Sequence, residues 1–336
     1  MHLEDTLKRP LIDLRLSVTD RCNYRCNYCM PFDEYVWIER EELLSFEELT
    51  RIASVFLTLG VEKIRLTGGE PLVRQNLEEL IRGLVGLDGL KDLSLTTNAS
   101  LLAEKAEALK TAGLGRINVS LDTLRADRFR EMTRRGDLAE VLNGIEMARQ
   151  AGLDPIKINT VVIKDKNDDE ILDLVDYGRD NGFEIRFIEY MDVGNSNNWS
   201  MAHTVSKQQI LDTIDSRYPL VEVGRPDGRA PAEKYRFKDG VGTVGIIGSV
   251  TEPFCQSCSR GRMTADGRFV TCLFSEPGFD LRSILRSGAS DEELAAAISK
   301  AWTLRTDRYS DRRWEAIESG TPMAVGKKIE MITLGG

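Results

Sequence analysis

Apolar positions alternate between two periods through the first 190 residues of the chain. Short apolar-rich runs predict strands at 13–19, 63–67, 92–97, 116–120, 156–163 and 184–190. Between them the apolar residues fall three and four apart, the spacing of one helix face, at 46–59, 77–84, 101–112, 138–151 and 168–181. Ser45, with Glu48 three residues on, has the form of a capping box ahead of the first helix. Gly60, Gly113, Gly152 and Gly182 each stand between a helix and the next strand, where a left-handed residue commonly ends a helix. Strand, helix, glycine and strand in repetition predict βα units on a parallel sheet. Six strands are two short of a closed eight-stranded barrel, so the expected fold is α/β, an incomplete (β/α)6 TIM-like barrel. A doubly wound open sheet is the alternative, although no G-x-G-x-x-G follows any strand. In both folds ligands gather beyond the carboxyl ends of the strands. That points to Thr67-Gly68-Gly69-Glu70, Thr96-Thr97-Asn98, Ser120-Leu121-Asp122 and Glu189-Tyr190-Met191.

The pattern changes near Val193, which divides the chain into an expected barrel over 1–192 and a C-terminal region over 193–336. There a polar loop (194–198) and a helix (206–218) precede short β-like pieces at 220–223, 234–237 and 241–247, with a further helix at 291–301. Their antiparallel character predicts a smaller C-terminal α+β layer. At 336 residues, 41% hydrophobic and 29% charged, the composition excludes collagen-like, coiled-coil and disordered classes. No apolar run reaches the ~20 residues that span a bilayer, and nothing at the start resembles a secretory leader, so a cytoplasmic protein is expected. A formal charge of −9 argues against a general partnership with DNA, RNA or an anionic membrane.

What stands out is six cysteines beside only two histidines, His2 and His203. The cysteines form two groups of three. Cys22, Cys26 and Cys29 make C-x3-C-x2-C in the loop after the first strand, while Cys255 and Cys258 are followed thirteen residues later by Cys272. Grouped, reduced thiols suit a metal or redox role. Structural zinc takes four protein ligands, so each group is one short unless, for the first, Asp20 or Asp33 completes it. An iron–sulfur cube held by three thiolates instead leaves one iron open to a substrate. Unrelated buried thiols, and one metal shared by both triplets, are the remaining readings.

The run Leu14-Arg15-Leu16-Ser17-Val18-Thr19-Asp20-Arg21-Cys22, leading into C-x3-C-x2-C with Tyr28 before the last cysteine, resembles the radical S-adenosylmethionine (SAM) superfamily. The second triplet followed by Arg260-Gly261-Arg262, together with the final Gly335-Gly336, resembles its GTP 3′,8-cyclase family of molybdenum cofactor biosynthesis. The resemblance runs from about residue 11 to the last and implies a barrel of the radical SAM type whose C-terminal layer carries a second cluster. It implies a 4Fe–4S cluster on Cys22, Cys26 and Cys29 that binds SAM, and a second on Cys255, Cys258 and Cys272 that binds the purine of GTP. It further implies SAM contacts from Tyr28, Gly68, Gly69, Ser120 and Met191.

The implied reaction is abstraction of the GTP 3′ hydrogen by a 5′-deoxyadenosyl radical, attack on C8 and reduction. Its product is (8S)-3′,8-cyclo-7,8-dihydroguanosine 5′-triphosphate, made by a lyase that needs no histidine base. Arg15, Arg65 and Lys157 lie in three predicted strands, where charged side chains are out of place unless they face a cationic cavity. With Arg260, Gly261, Arg262 and the strand-end Thr96 they are the expected GTP residues; Arg65, Arg260 and Arg262 are the catalytic candidates. A one-electron reductant and a downstream cyclic pyranopterin synthase are the expected partners of a monomer or homodimer. Gly335 and Gly336 resemble a tail reaching the active site, though Leu334 stands where many relatives have Ile. The alternatives are a radical SAM peptide-modifying enzyme with an auxiliary cluster, and a non-catalytic zinc-stabilised binding protein.

Overall fold

The computed structural model describes residues 2–275, 278–321, 323 and 328–335. The expected alternation is present as β1 (Asp13–Ser17), α1 (Phe46–Thr58), β2 (Lys63–Thr67), α2 (Leu77–Val85), β3 (Asp92–Thr97), α3 (Leu102–Thr111) and β4 (Arg116–Ser120). It continues through α4 (Ala126–Thr133), α5 (Leu138–Gln150), β5 (Ile156–Val162), α6 (Ile171–Asn181) and β6 (Glu184–Glu189). Ser45 does cap α1: its hydroxyl accepts from the Glu48 N–H while the Glu48 carboxylate receives the Ser45 N–H. Gly182 ends α6 at φ +74, in the left-handed region that costs glycine least.

The second half contributes α7 (Lys207–Asp215), β7 (Leu220–Gly224), β8 (Glu233–Phe237), β9 (Thr243–Ile247), β10 (Arg260–Met263), β11 (Arg268–Val270) and β12 (Phe279–Asp280). Helices α8 (Leu281–Arg286), α9 (Asp291–Thr303), α10 (Tyr309–Ser319) and α11 (Met331–Leu334) follow. The twelve strands of the described residues belong to one sheet, ordered β12-β11-β10-β1-β2-β3-β4-β5-β6-β9-β8-β7. The C-terminal α+β portion therefore joins the barrel sheet at both edges. Strand β10 pairs parallel with β1, and β9 pairs parallel with β6. The two strands missing from the first half are thus supplied by the second, and antiparallel hairpin pairs continue outward on each side.

Alternate side chains of these strands face the helices and are apolar. Leu14, Leu16, Ile64, Leu66, Leu95, Ile117, Val119, Ile158, Ile185 and Phe187 are buried in one continuous core with Phe56, Leu80, Ile145 and Leu174 from the helices. The opposite face carries polar and charged residues. Arg262, Arg15 and Arg65 lie side by side in register across β10, β1 and β2. Among the described residues no helix is long and apolar enough to cross a membrane.

Candidate active site

The first cysteine triplet occupies the loop after β1, strapped to its surroundings at every turn. Gly69 N–H donates to Thr19 O and Glu70 N–H to Arg21 O, both at 2.8 Å. A Cβ on Gly68 would stand 2.6 Å from Thr19 O, and one on Gly69 2.8 Å from Asp20 O. The close approach these glycines permit is therefore to the cysteine loop itself. Glu70, fully buried, accepts from Leu72 N–H (3.0 Å), Thr97 Oγ1 (2.7 Å) and Asn98 N–H (2.7 Å). Burial nevertheless pushes its pKa up to about 7. Asn23 exchanges hydrogen bonds with Asn98 and Ser100, and Arg25 and Asn27 donate their N–H groups to Thr133 O and Met132 O of α4.

Burial raises all three thiols, Cys22 to about 11 and Cys29 to about 12, with Cys26 pushed up further by its two neighbours. Such thiols keep their protons until a metal displaces them. Asp33, a candidate fourth ligand, instead pairs with Arg134 at 2.5 Å, and one oxygen of Asp20 receives Ile38 N–H at 2.7 Å. Tyr28 donates its hydroxyl to Asp122 at 2.6 Å. Asp122 also accepts from Val161 N–H at 2.8 Å, and burial lifts its pKa to about 6.

The second triplet lies across the same opening. Tyr28, Thr96, Ser120 and Met191 line one cavity of about 240 Å³ together with Cys255, Cys258, Cys272, Arg15, Arg65, Arg260 and Arg262. Burial alone would raise the Cys258 thiol, but Arg260 and Arg305 outweigh it and bring the pKa down to about 5. Burial and Asp307 leave Cys272 at about 11. The loop is held from behind by a buried set of charges. Arg9 donates to Asp5 (2.6 Å), Cys255 O (2.9 Å) and Asp307 O (2.7 Å), and Arg305 donates to Cys258 O at 2.9 Å. Within each triplet the thiols perturb one another. Among the described residues, no three Cys, His, Asp or Glu side chains are arranged to hold a single ion.

Below this cavity, at the amino starts of the strands, a second space of about 220 Å³ shares Arg15, Arg65, Arg186 and Arg260 with it. Burial and then Arg262, Arg65 and Arg260 lower the pKa of Arg15, while burial and Arg186 bring Arg65 to about 10. Lys157 lines the lower space, 3.6 Å from Glu184, and burial takes it to about 8. Buried polar atoms without a protein partner cluster along the same walls: Nε of Arg65, Arg260 and Arg262, Oγ1 of Thr96, and Oδ1 of Asn159. The orphaned guanidinium N–H donors fit a polyanion with acceptor atoms, and the Asn159 carbonyl oxygen is left for a donor.

Gly261 alone among the expected substrate residues turns away. A Cβ there would meet Phe269 and Leu11 behind the sheet, so only its backbone is left for a ligand. Gly335, at φ +68, abuts Thr67 beside Gly68, and Gly336 lies outside the described residues. Lys328 holds the tail to Asp192 (2.6 Å) and Glu330 accepts from Asn195 Nδ2 (3.0 Å). Sequence reasoning missed Arg186, Arg305 and Asn159 as lining residues, whereas Asp122 was among the strand-end residues it singled out. Arg186 carried the same signal as Lys157, a charge inside a predicted strand, whereas Arg305 follows a helix and carries none.

A partial parallel barrel with a three-cysteine loop after its first strand defines a radical SAM protein. Residues 16–178 match the family model of the Radical SAM superfamily, and 183–311 that of Molybdenum Cofactor Synthesis C. The chain is 44% identical over 345 residues to GTP 3′,8-cyclase 1 of Mycobacterium tuberculosis (strain CDC 1551 / Oshkosh), covering all of this chain and 96% of that one. It is 43% identical to the GTP 3′,8-cyclase of Staphylococcus epidermidis (strain ATCC 35984), covering 99% of each. In fold it is similar to the crystal structure of Streptococcus suis SuiB, with TM-score 0.60, 15% identity and coverage of 93% of this chain and 69% of that one. The chain belongs to the GTP 3′,8-cyclase family.

Proposed function

We propose that this chain converts GTP to (8S)-3′,8-cyclo-7,8-dihydroguanosine 5′-triphosphate, a step of molybdenum cofactor biosynthesis. The reading rests chiefly on one cavity that has Tyr28 of the first cysteine loop on one wall, all three cysteines of the second triplet on another, and buried cations between. Family membership makes the enzyme a radical SAM lyase that uses SAM and 4Fe–4S clusters. When bound, the clusters supply the electron that cleaves SAM and an open iron for the purine.

The chain's own part is to hold and to exclude. Cys22, Cys26 and Cys29 would hold one cluster, and Cys255, Cys258 and Cys272 the other. Tyr28, fixed through Asp122, lines the cavity with Ser120 and Met191, where the adenosyl part of SAM would sit; Gly68 and Gly69, packed on the cysteine loop, are the residues that would meet its methionyl part. Arg15, Arg65, Thr96, Lys157, Arg260 and Arg262 receive GTP. Of these, Arg65, Arg260 and Arg262 line the cavity with the second triplet and would stabilise charge on the reacting nucleotide. The barrel residues 1–192 thus carry SAM, and 193–336 carry the second cluster, while the cationic row draws on both. Its partners would be a one-electron reductant and a downstream cyclic pyranopterin synthase, and the enzyme works in the cytoplasm as a monomer or homodimer.

The test is anaerobic incubation with SAM, dithionite and GTP. GTP-dependent 5′-deoxyadenosine is the expected product, and its absence overturns the assignment.

A further inference from the structure

The upper and lower cavities meet at Arg15, Arg65 and Arg260, so a nucleotide whose base reaches the second triplet directs its phosphates toward the amino starts of the strands. At that mouth Lys63, the first residue of β2, is bridged to Asp227 at 2.7 Å. Asp227 stands on the loop between β7 and β8, at φ +57, a conformation that Asp and Asn tolerate better than most residues. Its two oxygens do different things. Oδ1 accepts from Arg229 N–H and Ala230 N–H, both at 3.1 Å, and closes the loop's own turn. Oδ2 is spent on Lys63.

The neighbouring acids are committed within the sheet: Asp92 to Arg116, and Asp13 to Ser259 Oγ at 2.9 Å. Asp227 is different because it approaches from a loop, and the ion pair it makes is 35% and 47% exposed on its two sides. Exposed pairs of this kind are weak and exchangeable, and a phosphate carrying more charge than one carboxylate outcompetes them.

Resting on the GTP reading above, we propose that Asp227 is an exchange anion for the terminal phosphate. It neutralises Lys63 while the site is empty, gives way when a triphosphate arrives, and returns as the nucleotide leaves. A diphosphate anchored at the same triplet is one phosphoryl group shorter and leaves the pair intact. The residue therefore lowers affinity for triphosphates selectively and speeds their release.

Asp227→Asn keeps the turn acceptor and the left-handed backbone but removes the charge. GTP and GDP binding to the anaerobic holoenzyme without SAM is measured by equilibrium dialysis, with dissociation rates by stopped flow. The expected result is GTP binding about fivefold tighter, carried mostly by slower dissociation, with GDP within about twofold of wild type. Equal changes for GTP and GDP, or no change for GTP, overturn the proposal. Failure of the wild type to bind GTP at all removes instead the functional reading on which the proposal stands.

Discussion

Glu70 illustrates how a single buried carboxyl can hold two parts of a site. It gathers the end of β3 and the turn after β2 into one unit, directly beneath the first cysteine loop. Its raised pKa has a definite sign. Between the ordinary 4.5 and about 7 the folded chain keeps a proton that the unfolded chain releases. The contribution is complete below about pH 4.5 and is lost as the pH rises through 7, up to about 3 kcal/mol at about 1.4 kcal/mol per unit. Urea unfolding of the cluster-free chain should show wild type losing stability across this window relative to Glu70→Gln, whose side chain does not titrate. Gly69 makes a second residue-scale case. The Cβ of Gly69→Ala would press on Arg21 O and Asp20 O, which are backbone and cannot swing aside. The substitution should displace the first loop while sparing the second, lowering anaerobic iron content from about eight to about four per chain.

At the scale of elements, the second triplet depends on a segment far from it in sequence. The arm before β1 places Arg9 and Asp5 behind the loop, where Arg9 reaches two carbonyls and Trp302 Nε1 donates to Arg9 O at 3.1 Å. Arg9→Met would leave Asp5 buried beside Arg305 alone, at a cost of about 3–5 kcal/mol. Thermal unfolding should record the loss. Electron paramagnetic resonance should show the second cluster's signal diminished and the first retained.

None of this arm was legible in the sequence, because a polar hairpin has no period. The βα units were legible, since apolar spacing and C-terminal glycines agree at four of the five helix-to-strand boundaries. Helix α4 escaped notice: in Ala126–Thr133 only Phe129, Met132 and Thr133 are buried, too few to mark a face. Strand β10 escaped for a different reason. Its Arg260 and Arg262 face inward, so the alternation of charge that looks like an exposed loop is a strand whose polar side is the cavity.

For the whole molecule, the single twelve-stranded sheet makes the two halves interdependent. A fragment ending at residue 192 would expose the edges of β1 and β6 that β10 and β9 now occupy. Such unpaired edges template aggregation. The fragment should elute as aggregates in gel filtration and unfold without a cooperative transition by circular dichroism, although it contains every residue of the first triplet.

The register of Arg262, Arg15 and Arg65 bears finally on the order of assembly. The chain is synthesised from its N-terminus, so β1 and β2 exist long before β10 is available to pair with them. That pairing joins residues almost 250 positions apart, a long loop to close, and brings a third guanidinium against two already in place. Charge repulsion thus resists the last seam of the sheet. A multivalent anion present during refolding should relieve it, so that the nucleotide's phosphates, besides being substrate, act as a template on which the site completes itself.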